Sequence, residues 1–413
     1  MKLKDSGVEW IGEIPEDWEM KKVRYFLKEV SEKKHPNEQV LSLYRDYGVI
    51  PKDSRADNHN VTSSDTSGYK FVEVGNLVIN KMKAWQGSLA ISNFQGIISP
   101  AYFIYRIIDS RIDLRFLHYA LRNPAYKQEY MRISSGLRVG QWDLNKEEFK
   151  NLFYPFPEQK EQQKIADFLD SKIVLIDQII ADTKRSIEEL KAYKQSLITE
   201  VVTKGLKHST DFSIYLTKIK YIAEIDPPYD EKIDENELAT FLPMDRLKNG
   251  YLINDTQKSI KELKNKYSYF ADGDIIIAKV RPSFENGNLA LASGLENGLG
   301  FGTTEIYTIR NKKTKNFSSR YLAYYLRNTD FINQGSSTMT GVAGLKRISA
   351  QFIQNYHIPK ISFEEGETIA DFLDGKIKNI DGLIYEKFNL INEYESYKKS
   401  LIYEYVTGKK QVN

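Results

Sequence analysis

A chain of 413 residues, 41% of them hydrophobic, has the material for two or three separately cored domains. It contains no cysteine, which excludes disulfides, thiolate metal sites and a cysteine nucleophile. A net charge of +3 leaves no global basic field, so any surface for a polyanion must be local.

The five histidines (His35, His59, His118, His208, His357) are scattered, and no metal site is expected. Apolar runs such as Ile275–Ala278 are far too short to span a bilayer, and the N-terminus has no apolar core of signal-peptide length. A cytoplasmic location is the expectation.

In chain order, the region to about Pro155 reads as short strands punctuated by Gly, Asn and Pro. Phe71–Lys81 alternates and then runs apolar, and Ser88–Ser92 and Ala101–Ile107 follow as further strands. Leu114, Leu117 and Leu121 have helical spacing, with a breaker at Asn123-Pro124. A polar loop, Ser134–Gln141, precedes Pro157, Glu158 and Glu161, which open a long helix that Gly205 should stop.

That helix carries a seam of Leu169, Ile173, Ile176, Ile180, Thr183, Ile187, Leu190, Lys194, Leu197 and Val201, long enough for a coiled coil. Shifted by 204 residues it recurs without a gap. Of the 40 positions from Ile165 to Lys204, 21 are identical to Ile369–Gly408. The second seam is Leu373, Ile377, Ile380, Ile384, Lys387, Ile391, Tyr394, Lys398, Leu401 and Tyr405. Both are interrupted at matching places, Thr183 with Lys387 and Lys194 with Lys398. Ser362–Glu365 has the pattern of a capping box, and Gly408 is the expected stop. The segment between the helices loosely repeats the first: Gly75–Lys81 matches Gly273–Lys279, and Tyr119–Asn123 matches Tyr324–Asn328.

The expected fold is therefore α+β: two similar α/β domains, 1–155 and 206–359, and two long helices, 156–205 and 360–413. A 39-residue helix is about 58 Å long and delivers the chain to the second domain at its far end. The second helix most simply runs back antiparallel, giving an intramolecular antiparallel coiled coil with a pseudo-two-fold axis. Gly375 and Gly382, seven apart on the outward face, read as exposed glycines or as a point of close helix approach.

Two strings look enzymatic. Asp226-Pro-Pro-Tyr229 has the form of an amino-methyltransferase catalytic loop, and Glu296–Gly300 resembles an S-adenosylmethionine turn. Their counterparts in the first domain, Val30–Lys33 and Gly96–Ser99, lack both, and neither domain has the strand–helix alternation of a doubly wound fold, so ordinary turns are expected. The sequence has no GxxxxGK[ST], no Pro-Asp dipeptide and no GxSxG. A protein-only coiled-coil scaffold is a further alternative.

The candidate binding residues are basic and aromatic loop positions that recur in both copies. Lys81, Lys83, Trp85 and Gln86 face a counterpart loop with Lys279, Arg281 and Asn286. Arg138 and Gln141 correspond to Lys346 and Arg347, and Arg45 to Arg246. Lys and Arg suit phosphates, Arg and Gln suit base edges, and Trp85 or Phe284 could stack or wedge.

The strings SGVEWIGEIPEDWEMKKV (Ser6–Val23) and PFPEQKEQQKIADFLD (Pro155–Asp170), with the duplication, resemble the specificity subunit of type I restriction–modification systems over essentially the whole chain. The resemblance implies a non-catalytic subunit with two target-recognition domains, each reading half of a split double-stranded DNA target in the major groove. The helices would be the ruler, and the dock for two DNA-methyltransferase subunits carrying S-adenosylmethionine; motor-endonuclease subunits would complete the complex. The second copy departs from the motif, with Ile361-Ser-Phe363 in place of Pro157-Glu-Gln159. Divergent modules imply an asymmetric target, with half-sites on the order of one to one and a half turns apart.

Overall fold

The computed structural model describes residues 2–45, 47–55, 65–136, 142–206, 215–229, 234–312, 316–341 and 346–412. The chain divides into two compact units, Met1–Thr183 with Asn389–Asn413, and Lys184–Phe388.

In the first unit the central sheet is antiparallel, in the order Leu27–Val30, Tyr102–Ile107, Leu77–Asn80, Leu89–Ile91. The second unit repeats that order with Ala223–Ile225, Ile306–Asn311, Ile275–Ala278 and Leu289–Leu291. Leu77–Ile79 and Ile275–Ala278 are buried throughout because both sheet faces are covered, which is why they read as continuous apolar runs. Alternation sends Ile275 and Ile277 into the helical layer and Ile276 and Ala278 against Leu242 and Phe270. The second unit adds a four-stranded sheet, Gln257–Ser259, Leu238–Leu242, Leu299–Gly302 and Ser268–Ala271, whose middle pair is parallel. At that stage the first unit shows, among the described residues, two strand pairs, Leu41–Tyr44 with Gly48–Pro51 and Lys70–Val72 with Gly96–Ile98, joined by a single parallel bridge between Val40 and Ile97.

Among the described residues each unit has three short helices capped by side chains, two of them directly consecutive. Asp113 accepts from the N–H groups of Arg115 and Phe116 at the start of Leu114–Arg122, and Asn123 caps Pro124–Arg132. Ser318 and Asn328 do the same for Ser319–Tyr325 and Thr329–Ser337.

The long helices run Gln159–Lys204 and Phe363–Val406, the first opening earlier than its apolar seam. Ser362 Oγ accepts from the Glu365 N–H, as its capping pattern predicts. Within the first unit Phe168 packs on Tyr405, ring centroids 4.5 Å apart, and Asp177 meets Lys398. One number rises as the other falls, so the segments are antiparallel. Within the second unit Lys191 lies over Phe388 and Lys194 meets Asp381, again antiparallel. Leu169, Ile176, Ile180, Ile187, Leu373, Ile380, Ile391 and Leu401 are buried; Ile173, Leu190, Leu197, Ile377, Ile384 and Tyr394 are half-buried. Thr183, read as an interruption, is buried and donates to the Ile179 carbonyl. Gly375 and Gly382 are exposed, and an added Cβ would meet nothing within 4 Å at either.

In the first unit the end of the second long helix lies on the N-terminal hairpin, Leu3–Asp5 with Glu13–Pro15. Lys409 Nζ donates to the Glu13 carbonyl, and Gly408, at φ +70°, leaves no room for a Cβ against Pro15. Among the described residues no helix is long and apolar enough to cross a membrane.

Candidate nucleic-acid interface

In the first unit the loop after Leu77–Asn80 is held from both ends. Asn80 takes hydrogen bonds from the N–H groups of Met82 (side chain) and Lys83 (carbonyl), and Gly87, at φ +84°, closes the turn onto Ala84. The Trp85 indole N–H donates to the Met82 carbonyl at 3.1 Å, and its ring lies 5.3 Å from that of Trp142 at 50°. Leu144 N–H donates to the Lys81 carbonyl, and the Lys81 ammonium is 3.5 Å from Asp143. Lys83 is exposed and Gln86 half-buried. Exposed Arg45 lies on the neighbouring turn, where the Arg122 guanidinium donates to the Arg45 and Leu89 carbonyls. The expected loop residues Arg138 and Gln141 lie outside the described residues.

The second unit builds the same frame and fills it differently. Ile348 N–H donates to the Lys279 carbonyl, the counterpart of the Leu144–Lys81 bond, and Arg281 N–H donates to the Lys346 carbonyl. The Arg281 guanidinium meets Glu285 at 2.8 Å, and Arg347 forms a two-pronged pair with Glu305 at 2.6 and 2.7 Å. Those bonds hold the Glu305 carboxyl below its ordinary pKa. Lys279 lies over the Tyr307 ring, and Lys346 is exposed. The Asn286 carbonyl accepts from Asn249, whose own carbonyl oxygen accepts from buried Arg327, so the turn bearing Arg246 adjoins this loop. Arg246 is paired with Asp255 at 3.1 Å.

One expectation is corrected. Phe284 cannot stack on a base: it is fully buried against Phe331, and an added Cβ on Gly335 would come within 2.4 Å of its ring. It anchors the loop and takes the place of buried Ala84, since Gly287 closes onto Phe284 as Gly87 closes onto Ala84. Sequence reasoning missed Trp142, and it missed Asp143, Asp255, Glu285 and Glu305, which hold four of the candidate cations.

The enzymatic-looking strings are structural. Asp226, at φ +51°, exchanges hydrogen bonds with Thr308, its N–H donating to the Thr308 carbonyl and its carboxylate accepting from the Thr308 N–H. Burial raises its pKa. Tyr229 packs edge-on against Tyr269 and beside Phe301. Glu296 accepts from Gln257, and its N–H donates to Thr240. Among the described residues no group of His, Asp and Glu could hold a metal ion.

A further set fixes each unit's short helices on its long one. Arg115 reaches Asp167 and Asp170 at 2.7 and 3.0 Å, and the Tyr119 hydroxyl donates to Asp170 at 2.6 Å. In the second unit Arg320 reaches Glu367, Asp371 and Asp374, and Tyr324 donates to Asp374. Burial, with the neighbouring carboxylate, pushes both tyrosine hydroxyls well above their ordinary pKa. The loops are thereby carried at a set place on their helix.

Residues 15–191 match the family described as "Type I restriction modification DNA specificity domain". Two relatives from Escherichia coli are the type I restriction enzyme EcoAI specificity subunit, 34% identical over 47% of this chain, and the EcoEI specificity subunit, 30% identical over 45%. Those matches span about a third of either relative, 33% and 31%. The putative type I restriction enzyme MjaX specificity subunit of Methanocaldococcus jannaschii is 23% identical over 97% of this chain and 96% of its own. Among solved structures, a chain from work on complex assembly and conformational transition of the type I R-M system superposes with a TM-score of 0.72 at 13% identity, covering 96% of this chain and 99% of that one. The HsdS subunit from Thermoanaerobacter tengcongensis gives 0.56, also at 13%, covering 96% and 98%. The structural matches share the fold.

Proposed function

We propose that this chain is a specificity subunit of a type I restriction–modification system and reads an asymmetric, two-part sequence in double-stranded DNA. Residues 1–155 and 206–359 each read one half-site; the helices in 156–205 and 360–413 set the unread spacer. Lys81, Lys83, Trp85, Gln86, Arg45, Arg138 and Gln141 serve the first half-site. Lys279, Arg281, Asn286, Lys346, Arg347 and Arg246 serve the second. The observation that carries this reading is one loop frame built twice and filled with different side chains. Cations held by carboxylates in fixed orientation suit direct readout of base edges, and exposed Lys83 and Lys346 suit phosphates.

The chain itself carries no chemistry in this scheme. Two DNA-methyltransferase subunits bring S-adenosylmethionine, and motor-endonuclease subunits complete the restriction enzyme. The test is the methylated motif in DNA from cells expressing the chain with its methylation subunit. Exchanging residues 1–155 for those of a divergent relative should change one half-site only. A motif unaltered by the exchange, or methylation by the purified chain alone that Asp226→Ala abolishes, would overturn the proposal.

A further inference from the structure

The loop frames align at their anchors, with two more residues between Lys279 and Phe284 than between Lys81 and Ala84. Leu144 and Ile348 make the same bond to Lys81 and Lys279, and Gly87 and Gly287 close onto buried Ala84 and Phe284. Counting outward, Trp85 corresponds to Glu285, and Lys346 and Arg347 fall opposite Trp142 and Asp143, not opposite Arg138 and Gln141 as the sequence match suggests. Where the second unit presents charges, the first presents two indoles.

These indoles are not core residues. Trp18 in the same unit is 1% exposed, whereas Trp85 and Trp142 are half-buried and lie beside Met82, 38% exposed. Leaving such rings partly in water forgoes burial that a packing role would take. The Trp85 N–H is already given to the Met82 carbonyl, so the ring offers apolar surface and no free donor. Lys81 is paired with Asp143 at the rim. The face of Trp85 therefore cannot read the hydrogen-bonding edge of a base. In the major groove one base carries an apolar group, the 5-methyl of thymine.

Resting on the DNA-reading function proposed above, we infer that Trp85 and Trp142 form the first unit's contact for a thymine methyl group. The second unit, with Arg281 and Arg347 held by Glu285 and Glu305, reads hydrogen-bonding edges instead. The first half-site therefore contains a thymine whose methyl is worth more than its pairing.

The test uses the full chain assembled with its methylation subunits and a duplex bearing the motif this complex methylates. Each thymine in the half-site that changes on exchange of residues 1–155 is replaced in turn by deoxyuridine. At one position or more, binding should weaken about fourfold, the worth of one buried methyl. In the Trp85→Ala complex, already weaker on the thymine duplex, the same replacement should have no further effect. Thymines of the other half-site should show no such coupling. Should Trp85→Ala prevent assembly, the uridine series on the unaltered complex decides alone. A half-site without thymine, or one in which every thymine tolerates uridine, overturns the inference; so does a Trp85→Ala complex that binds as tightly as the parent. If the domain exchange leaves the motif unchanged, it is the DNA-reading function that fails, before any uridine is tried.

Discussion

Lys398 donates to both carboxylate oxygens of Asp177, at 2.6 and 2.8 Å. The 204-residue repeat carries Asp177 onto Asp381 and Lys194 onto Lys398, and Lys194 meets Asp381 at 2.6 Å. Each helix thus supplies one acid and one base, and Lys194 and Lys398, which interrupt the two apolar seams at matching places, are each answered by the opposite helix. A slip by one turn would part both pairs, so they select register more than they add stability.

Their energetic share should be small, because the Asp177 and Lys398 side chains are 53% and 30% exposed. A double-mutant cycle on Asp177→Ala and Lys398→Ala in the full chain should give a coupling of about 0.5 kcal/mol from urea unfolding. Asp177→Lys alone should lower the midpoint further, and Asp177→Lys with Lys398→Asp should recover most of the loss. A double exchange no better than the single one would show that the pair does not set register.

The Arg320 cluster should matter more. Arg320→Ala leaves Glu367, Asp371 and Asp374 on one helix face without their shared cation. The second unit should lose about 1–2 kcal/mol, read as a shift of the urea midpoint. Added salt should narrow the gap between variant and parent by screening the carboxylates from one another. A gap that widens with salt would contradict this account.

His118 gives the first unit an acid limit. It is half-buried beside Arg122, and loss of water around the ring first, then that positive charge, push its pKa from 6.5 down to about 4. Its Nδ1 accepts from the Ile91 N–H, while Asp170, Tyr119 and Arg122 are the charged and titratable groups around it. Between pH 6.5 and 4 the unfolded histidine binds a proton that the folded one refuses, so stability falls as pH falls, by at most about 1.4 kcal/mol per unit. His118→Gln should flatten that slope. Comparing melting temperatures at pH 7 and pH 5 checks it, and an equal loss in both proteins would refute the assignment.

Glycines separate two kinds of position. At Gly375 and Gly382 an added Cβ meets nothing, so alanine should stabilise the helix by about 1 kcal/mol at each. Gly335→Ala should instead force Phe284 out of place, at a cost of about 1–3 kcal/mol. Because Phe284 anchors the loop of Arg281 and Asn286, methylation should weaken with changes confined to the second half-site. Loss of the first half-site as well would point to general unfolding.

The duplication made the helix pair legible because its repeat is gapless and preserves seam spacing, and the looser repeat of the domains still brought the loops of Lys81 and Lys279 into correspondence. Partners distant in sequence were not legible. Trp85 finds Trp142, and Arg347 finds Glu305, across loops whose lengths say nothing about contact. Trp85 and Phe284 looked interchangeable as loop aromatics; only the bare backbone of Gly335 decides that one goes inside. The Asp226 string, discounted in sequence for want of a counterpart, has a physical reason to be a turn: its motif depends on an open carboxylate, and here Thr308 occupies it. The clamps could have been found: Tyr119 and Tyr324, with Asp170 and Asp374, fall inside repeated strings that were read only as helix.

The first unit is closed by Asn389–Asn413, with Gly408 and Lys409 against Pro15, Trp18 and Glu13. On the ribosome, Trp18 and Phe168 must therefore wait, part of their cover missing, until the whole of Lys184–Phe388 has emerged. The later-made unit can finish first. A chain broken off between the two would strand the domain that was synthesised earliest, which makes that domain the one that reports synthesis as far as Lys409.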